Sequence, residues 1–240
     1  KELIANCEAI FCVSKFVKNQ FLDGLSGDCK KIYVLYNGVD RTVTKFPKKK
    51  KEILYVGRIV PEKGVHLYVD TIKSVAEKFP DWSFSLIGSS KLGEINNNYS
   101  YANEIKKNFI NIGKQANFYG FKNKNFVDKK MKTASIIIIP SLWQEPFGLV
   151  VAESMSNGIC IIASKVGGIP EIIGSNGILI ENINNDNLEK NLLNILRDTK
   201  KREFYQTKAW KNFKFYSSQS SKRLDNIRQI IFLFLFLSLS

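Results

Sequence analysis

Uninterrupted apolar runs of strand length recur along this chain, and they alternate with segments that have a helical repeat. The runs lack the polar alternation of a half-exposed strand, which indicates parallel strands covered on both faces. After the second run, apolar residues spaced three and four apart form the stripe of a helix that Pro80 ends. This order predicts an α/β fold with a doubly wound parallel sheet. The predicted strands are residues 32–36, 53–56, 84–87, 136–139 and 159–162.

A proline and four lysines at residues 46–51 interrupt this pattern and predict a linker. The segments before it, 9–13, 16–25 and 32–36, have the pattern of the end of another α/β unit. We therefore predict three regions, which are residues 1–45, 46–205 and 206–240. The last region ends in an apolar run at 230–240, about half as long as a membrane-spanning helix. An interfacial anchor, a fragment boundary and a translated frame error are open explanations of that run.

Composition excludes several classes of function. The formal net charge is +14, but the lysines are scattered rather than gathered into an arginine-rich stripe, so we expect no nucleic-acid partner. A positive surface would still attract phosphate-bearing substrates and anionic lipids. One histidine, His66, and four unpatterned cysteines exclude zinc sites and histidine-based triads, and they fit a reducing, cytoplasmic compartment.

The turn after the strand at 53–56 has the composition of a phosphate cradle. Gly57 lets the backbone approach a ligand, and Arg58 and Lys63 offer a guanidinium fork and a point charge to phosphate oxygens. The turn matches neither a Walker loop nor a GxGxxG motif. A glycine turn with two solvated cations is an equally good interpretation of the turn alone.

A second anion-binding element is predicted at residues 148–150. Gly148, Leu149 and Val150 open a helix, and the first amides of a helix lack intrahelical partners and favour an anion. Glu153 lies about 7 Å farther along the helix axis, which is the reach from a diphosphate to ribose hydroxyls. Glu145, in the loop before the helix, would project on the sugar side.

Five motifs in order resemble the retaining glycosyltransferases of family 4, also called glycosyl transferases group 1, which have the GT-B fold. The resemblance covers roughly residues 5–225 and implies the Rossmann-like, donor-binding C-terminal half of that fold, with a remnant of the N-terminal domain. The matching segments are EPFGLVVAESMSNG at 145–158 (E-x7-E), GR…KG at 57–64, NGVD at 37–40, GGIPE at 167–171 and PS at 140–141.

The resemblance implies a role for each matching residue. Lys63 and Arg58 would hold the donor diphosphate and offset the charge of the leaving group. Glu145 would contact the transferred sugar, and attack from the front face would retain its configuration. These three are the predicted catalytic residues. The predicted donor-binding residues are Gly57, Arg58, Lys63, Phe121, Glu145, Phe147, Gly148, Leu149, Val150 and Glu153.

The chain contains no D-x-D sequence, so we expect no metal and no other cofactor, with a UDP- or GDP-linked sugar as the donor substrate. Glu171 would belong to the donor site by resemblance, while capping of a turn is its alternative role. His66, Trp143 and Phe147 are more typical of groove or packing residues than of catalytic groups.

The sequence departs from the family because most of the N-terminal acceptor domain is absent. We therefore expect donor binding without efficient transfer unless the missing domain or a partner chain supplies the acceptor wall, and we expect residues 1–45 and 216–227 to expose apolar surface. The acceptor would be a saccharide or a lipid-linked saccharide in polysaccharide biosynthesis. Cytoplasmic location with peripheral contact at the inner membrane face is an open alternative to a fully cytoplasmic one. A non-catalytic or split-subunit module that binds nucleotide sugar is the alternative function.

Overall fold

The computed structural model describes residues 7, 9–23, 31–41, 43–90 and 99–213. The strands are β1 (Ile10–Cys12), β2 (Ile32–Val34), β3 (Lys50–Val56), β4 (Ser83–Ile87), β5 (Ala116–Gly120), β6 (Ala134–Ile139), β7 (Cys160–Ser164) and β8 (Ile178–Ile180). The helices are α1 (Lys15–Asp23), α2 (Val65–Val75), α3 (Tyr99–Ile110), α4 (Lys124–Thr133), α5 (Leu149–Ser156), α6 (Ile169–Ile173), α7 (Asn185–Arg197) and α8 (Thr199–Asn212). Short 3₁₀ turns span Pro61–Lys63 and Ala76–Lys78.

Six parallel strands form the main sheet in the order β5-β4-β3-β6-β7-β8. The chain leaves β3 toward β4 and β5, and it later enters β6 and continues toward β7 and β8. Strands β3 and β6 are therefore neighbours at the point where the direction of winding reverses, which is where open α/β sheets bind ligands. The predicted doubly wound parallel sheet is confirmed.

Apolar layers cover both faces of this sheet. Ile53 of β3 and Ile136 of β6 pack with Tyr68 in one cluster, while the next residues, Leu54 and Ile137, pack in a second cluster on the opposite face. All five side chains are inaccessible to solvent. Because successive strand residues point to opposite faces, burial on both faces requires continuous apolar runs, as the sequence indicated.

The observed strands differ from the predicted ones mainly at their ends. Strand β3 begins at Lys50 rather than at residue 53. The side chains of Lys50 and Lys51 are exposed, so the strand can include these charged residues at its amino end. Two strands of the main sheet were not predicted. Strand β8 has only three residues and lies at an edge, and every residue of β5 at the other edge is only partly buried, so neither produces a long apolar run.

Lys49 lies inside the segment predicted as a linker at 46–51, yet it joins two helix ends. Its ammonium donates hydrogen bonds to the carbonyls of Met131 (3.4 Å) and Lys132 (3.0 Å) at the end of α4, and of Asn157 (2.7 Å) after α5. Cations are favourable at helix C-termini because the last carbonyls lack intrahelical partners. The linker prediction is therefore wrong for residues 49–51, which anchor helices and start the central strand.

Burial lowers the pKa of Lys49 from 10.5 to about 7. Between these values the unfolded chain holds a proton on this residue that the folded chain releases. Because the unfolded state then binds more protons, the free energy of unfolding rises with pH in this window. The stabilisation that the folded chain gains by releasing this proton is therefore complete above about pH 10.5 and is lost as the pH falls to about 7.

The described residues of segment 9–36 form a small unit with its own sheet, the N-terminal unit. Strands β1 and β2 pair in parallel as a two-stranded sheet, and α1 connects them. Phe11 and Tyr33 form an aromatic pair with centroids 5.8 Å apart, and 36% and 51% of their surfaces are exposed. Apolar exposure in this unit agrees with the expectation for residues 1–45.

The expected apolar surface at 216–227 and the run at 230–240 lie outside the described residues. In the described ranges, no helix is both long and apolar enough to cross a bilayer.

Candidate functional site

A cavity of about 340 Å³ opens at the carboxyl edge of the sheet, between the ends of β3 and β6. Its walls include Gly57 after β3, residues 139–141 at the end of β6 and residues 148–151 at the start of α5. Lys63 and Glu145 also line it. The cationic turn and the helix start therefore meet in one cavity, because the two strands that precede them are adjacent.

The turn after β3 is fastened to the segment after β6. The amide of Leu142 donates to the carbonyl of Glu62 at 2.9 Å. Gly64 has a φ of +64°, and a Cβ atom at this position would lie 1.9 Å from the carbonyl oxygen of Pro140. Only glycine permits this approach, so residue 64 fixes the turn that carries Lys63 against the loop that carries Glu145.

Lys63 and Glu145 form an ion pair inside the cavity. The Lys63 Nζ to Glu145 Oε1 distance is 2.5 Å, and the same oxygen accepts a hydrogen bond from Ser141 Oγ at 2.8 Å. Only 19% of the Lys63 side chain and 14% of the Glu145 side chain are exposed. Partial desolvation strengthens such a pair, and the ammonium keeps donors for a second anion.

Gly148 ends the loop in the left-handed region, with φ +93° and ψ +60°, and helix α5 begins at the next residue. The carbonyl of Gly148 accepts from the amides of Val151 and Ala152. The amides of Leu149 and Val150 precede the first intrahelical donors and therefore have no partner within the helix. Both residues line the cavity, which makes their amides candidate donors to an anionic ligand.

The loop at 166–168 supports the backbone of Glu145. The amide of Gly168 donates to the Glu145 carbonyl at 2.7 Å, and the amide of Gly167 donates to Gln144 Oε1 at 2.6 Å. A Cβ atom on Gly167 would lie 2.2 Å from the Glu145 carbonyl oxygen. The GGIPE motif pointed to this loop, but the sequence did not show that the loop contacts the backbone of Glu145.

Three predicted donor-binding residues do not line the cavity, and their roles stay predictions. Arg58 faces Glu62, with 3.8 Å between guanidinium and carboxylate. Glu153 is bound by Lys124 at 3.2 Å. Phe121 exposes 77% of its surface.

Phe147 lines the cavity and is 3% exposed, so it is largely a packing residue. Trp143 stands at the rim, with its ring centroid 5.6 Å from Lys63 Nζ and 44% of its surface exposed. His66 bonds Tyr101 through Nδ1 at 3.0 Å and does not line the cavity.

Sequence reasoning missed several residues at the cavity. Val13 of the N-terminal unit and Asn37 of the NGVD segment line its wall. Tyr55 lines the floor and donates to the carbonyl of Arg58 at 2.9 Å, and burial raises the pKa of its phenol. The NGVD motif was a signal for Asn37, whereas nothing in the sequence distinguishes Val13 or Tyr55 from core residues.

In the described part of the chain, His, Cys, Asp and Glu form no group that could hold a metal ion. The charges that face the cavity are those of Lys63 and Glu145.

Comparison with known proteins identifies the family. The family model of glycosyl transferases group 1 matches residues 38–212. An uncharacterized glycosyltransferase of Methanocaldococcus jannaschii is 33% identical over 205 residues, which are 85% of this chain and 54% of that protein. Spore coat protein SA of Bacillus subtilis is 30% identical over 162 residues, or 64% of this chain and 41% of that protein. The chain thus spans about half the length of these curated relatives.

Solved structures share the fold. The Anabaena protein HepE in complex with UDP and glucose has a TM-score of 0.78 and 20% identity, covering 93% of this chain and 63% of that one. TarM of S. aureus, as a mutant in complex with UDP and two saccharide ligands, has a TM-score of 0.75 and 18% identity, covering 95% and 44%. On the family match and the relatives' identity, this chain belongs to the glycosyl transferases group 1.

Proposed function

We propose that this chain forms the donor-binding half of a glycosyltransferase that moves a sugar from a nucleoside diphosphate sugar to an acceptor. The observation that carries the proposal is the Lys63–Glu145 ion pair, which lies in one cavity with the amide-rich start of α5. A cation and helix amides suit a diphosphate, while a carboxylate suits sugar hydroxyls. The cavity therefore contains groups for the diphosphate and for the sugar of such a donor.

In this proposal, Lys63 and the amides of Leu149 and Val150 bind the diphosphate and stabilise the negative charge of the departing nucleotide. These donors are fixed before the reaction, so they need no reorganisation when charge develops. Glu145 binds hydroxyls of the transferred sugar close to the reacting carbon. Attack on the same face as the departing phosphate would retain the configuration, and lysine and amides would replace a metal ion.

The nucleotide in the proposed donor is UDP or GDP. Two findings on related folds support uridine, since HepE and TarM are both described with UDP. Arg58, Glu153 and Phe121 do not line the cavity in this structure, and their contact with the nucleotide is part of the proposal.

We assign residues 46–205 to the donor domain, 1–45 to the end of the acceptor domain and the junction, and 206–240 to the crossover helix and apolar tail. The acceptor, which we propose to be a saccharide or a lipid-linked saccharide of polysaccharide biosynthesis, would face Val13 and Asn37. The rest of its wall would come from a further domain or a partner chain. A cytoplasmic protein with access to the inner membrane face would meet such acceptors.

Calorimetric titration with UDP and GDP tests the proposal. The Lys63→Met variant should bind the preferred nucleotide at least about tenfold more weakly, because a charge-assisted contact is lost. Lys78→Met is the matched control, since Lys78 also faces a glutamate, Glu189 at 3.5 Å, but on the exposed surface away from the cavity. Failure of the unmodified chain to bind either nucleotide, or equal weakening by both variants, would contradict the assignment.

A further inference from the structure

Two successive carbonyls in the loop that carries Glu145 are held from different sides. The carbonyl of Glu145 accepts from the amide of Gly168 at 2.7 Å. The carbonyl of Pro146 accepts from the hydroxyl of Ser14 at 2.6 Å, although these residues are 132 positions apart. Ser14 is inaccessible to solvent and belongs to the N-terminal unit, so that unit contacts the backbone next to the proposed sugar-binding carboxylate.

Ser14 also starts helix α1. Its hydroxyl accepts from the amide of Val17 at 3.1 Å, as an N-cap residue does, and its carbonyl accepts from the amide of Lys18. The orientation of the hydroxyl toward Pro146 therefore depends on where α1 begins.

Glu171 fixes the start of α1. Its Oε2 accepts from the amides of Lys15 at 2.8 Å and Phe16 at 3.4 Å, and its Oε1 accepts from the hydroxyl of Tyr36, the last residue of the N-terminal unit. A carboxylate at a helix N-terminus is favoured by both the unpaired amides and the helix dipole. The family resemblance placed Glu171 in the donor site, with capping of a turn as the alternative, and in the structure both of its oxygens accept hydrogen bonds from the N-terminal unit.

Glu171 consequently joins the two groups that hold the loop. Gly168 precedes it by three residues, and Ser14 adjoins the amides that bind its carboxylate. We propose that Ser14 and Glu171 are positioning residues, which set the place of Glu145 through the carbonyls of residues 145 and 146. This inference rests on the proposed function, in that the consequence of misplacing Glu145 is weaker binding of the donor sugar.

The test compares nucleotide with nucleotide sugar. UDP, UDP-glucose, UDP-N-acetylglucosamine, GDP and GDP-mannose are titrated into the full chain, and the tightest sugar nucleotide is chosen. Ser14→Ala and Glu171→Gln should each weaken its binding about fivefold while the parent nucleotide binds within about twofold of wild type, the scale of one neutral hydrogen bond. The double variant should lose less than the sum of the two single losses, because Glu171 acts in part through the helix start that orients Ser14. Ser14→Thr, which keeps the hydroxyl, should restore binding.

Matched controls are Glu181→Gln, which alters an exposed carboxylate paired with Lys165, and Ser74→Ala, which removes an exposed hydroxyl. A second measurement is hydrogen exchange at the Gly168 amide, which should accelerate in both variants without change in the strands. This measurement needs no ligand.

Equal loss of nucleotide and sugar nucleotide, additive losses, or unchanged selectivity would overturn the inference. If wild type binds no nucleotide, the proposed function fails, and exchange at Gly168 then decides whether Ser14 and Glu171 position the loop.

Discussion

Replacement of Gly64 by alanine should separate the two loops that form the site. The residue has φ +64°, where an alanine costs roughly 1 kcal/mol relative to glycine. The new Cβ atom would also lie 1.9 Å from the Pro140 carbonyl oxygen, and such contacts do not fall below 3.0 Å. The Cβ atom and the Pro140 carbonyl oxygen are both attached directly to the main chain, so no side-chain rotation can relieve the overlap. The two loops must therefore move apart.

The cost of that movement follows from the contact that it breaks. Separation removes the hydrogen bond from the Leu142 amide to the Glu62 carbonyl, and the loss of one such bond between exposed residues costs about 1 kcal/mol. Together with the backbone strain, we expect Gly64→Ala to lower the free energy of unfolding by about 2 kcal/mol. Gly113 provides the control, since it has φ +104° but no atom within 4 Å of the position that an added methyl group would take. Gly113→Ala should cost only the strain, about 1 kcal/mol.

Urea unfolding measures the difference. About 1 kcal/mol between the two variants corresponds to a midpoint lower by roughly 0.5 M for Gly64→Ala. The same variant should bind UDP more weakly, because the movement draws Lys63 away from Glu145, while Gly113→Ala should bind as wild type does. Coincident unfolding curves for the two variants would refute the steric argument, since then only the backbone angle would matter.

Three further outcomes are expected. Glu145→Gln should tighten the binding of UDP by about tenfold in calorimetry, because Lys63 loses its competing partner and the phosphates lose a nearby negative charge. Lys49→Met should remove a rise in unfolding free energy of up to about 1.4 kcal/mol per pH unit between pH 7 and 10, measured by urea unfolding at each pH. Lys124→Met should free Glu153 and tighten UDP about twofold without changing the affinity for pyrophosphate.

Each of these outcomes has a contrary result. Weaker UDP binding by Glu145→Gln would mean that the carboxylate supports the phosphate site rather than competing for its cation. If the unfolding free energy rises with pH in Lys49→Met as it does in wild type, the buried amine is not the cause of that rise. The same holds if Lys48→Met, at an exposed position, loses the rise equally. Tighter binding of pyrophosphate by Lys124→Met would place Lys124 near the phosphates and not near the ribose.

The fold was largely predictable because of one physical requirement. A sheet covered on both faces needs apolar side chains at successive positions, so β3, β4, β6 and β7 stand out as continuous runs. The partly buried edge strands β5 and β8 do not meet that requirement and escaped prediction. Lys49 was misassigned for a related reason, since a lysine run is ambiguous between solvent and the carbonyls at helix ends.

The place of the cavity on the sheet was predictable, and so was the presence of Lys63 and Glu145 in its wall. Gly57, Lys63 and Gly148 follow parallel strands, and the carboxyl ends of such strands share one edge, so their convergence could be expected. The sequence could not show that only one of the two predicted cations lines the cavity. Lys63 and Arg58 belong to the same turn, and only the tertiary structure determines which partner each one meets. Lys63 meets Glu145, whereas Arg58 meets Glu62.

Close backbone contacts at Gly64 and Gly167 hold the Lys63–Glu145 ion pair in place. Gly64 lets the turn of Lys63 contact the Pro140 carbonyl, and Gly167 lets a different loop contact the backbone of Glu145. At both glycines the neighbouring carbonyl oxygen is too close to leave room for a Cβ atom. The two charged residues are thus placed by backbone contacts with two different segments. Substitutions at these glycines should therefore disturb donor binding more than their distance from the ligand implies, since they move the main chain on which both charges stand.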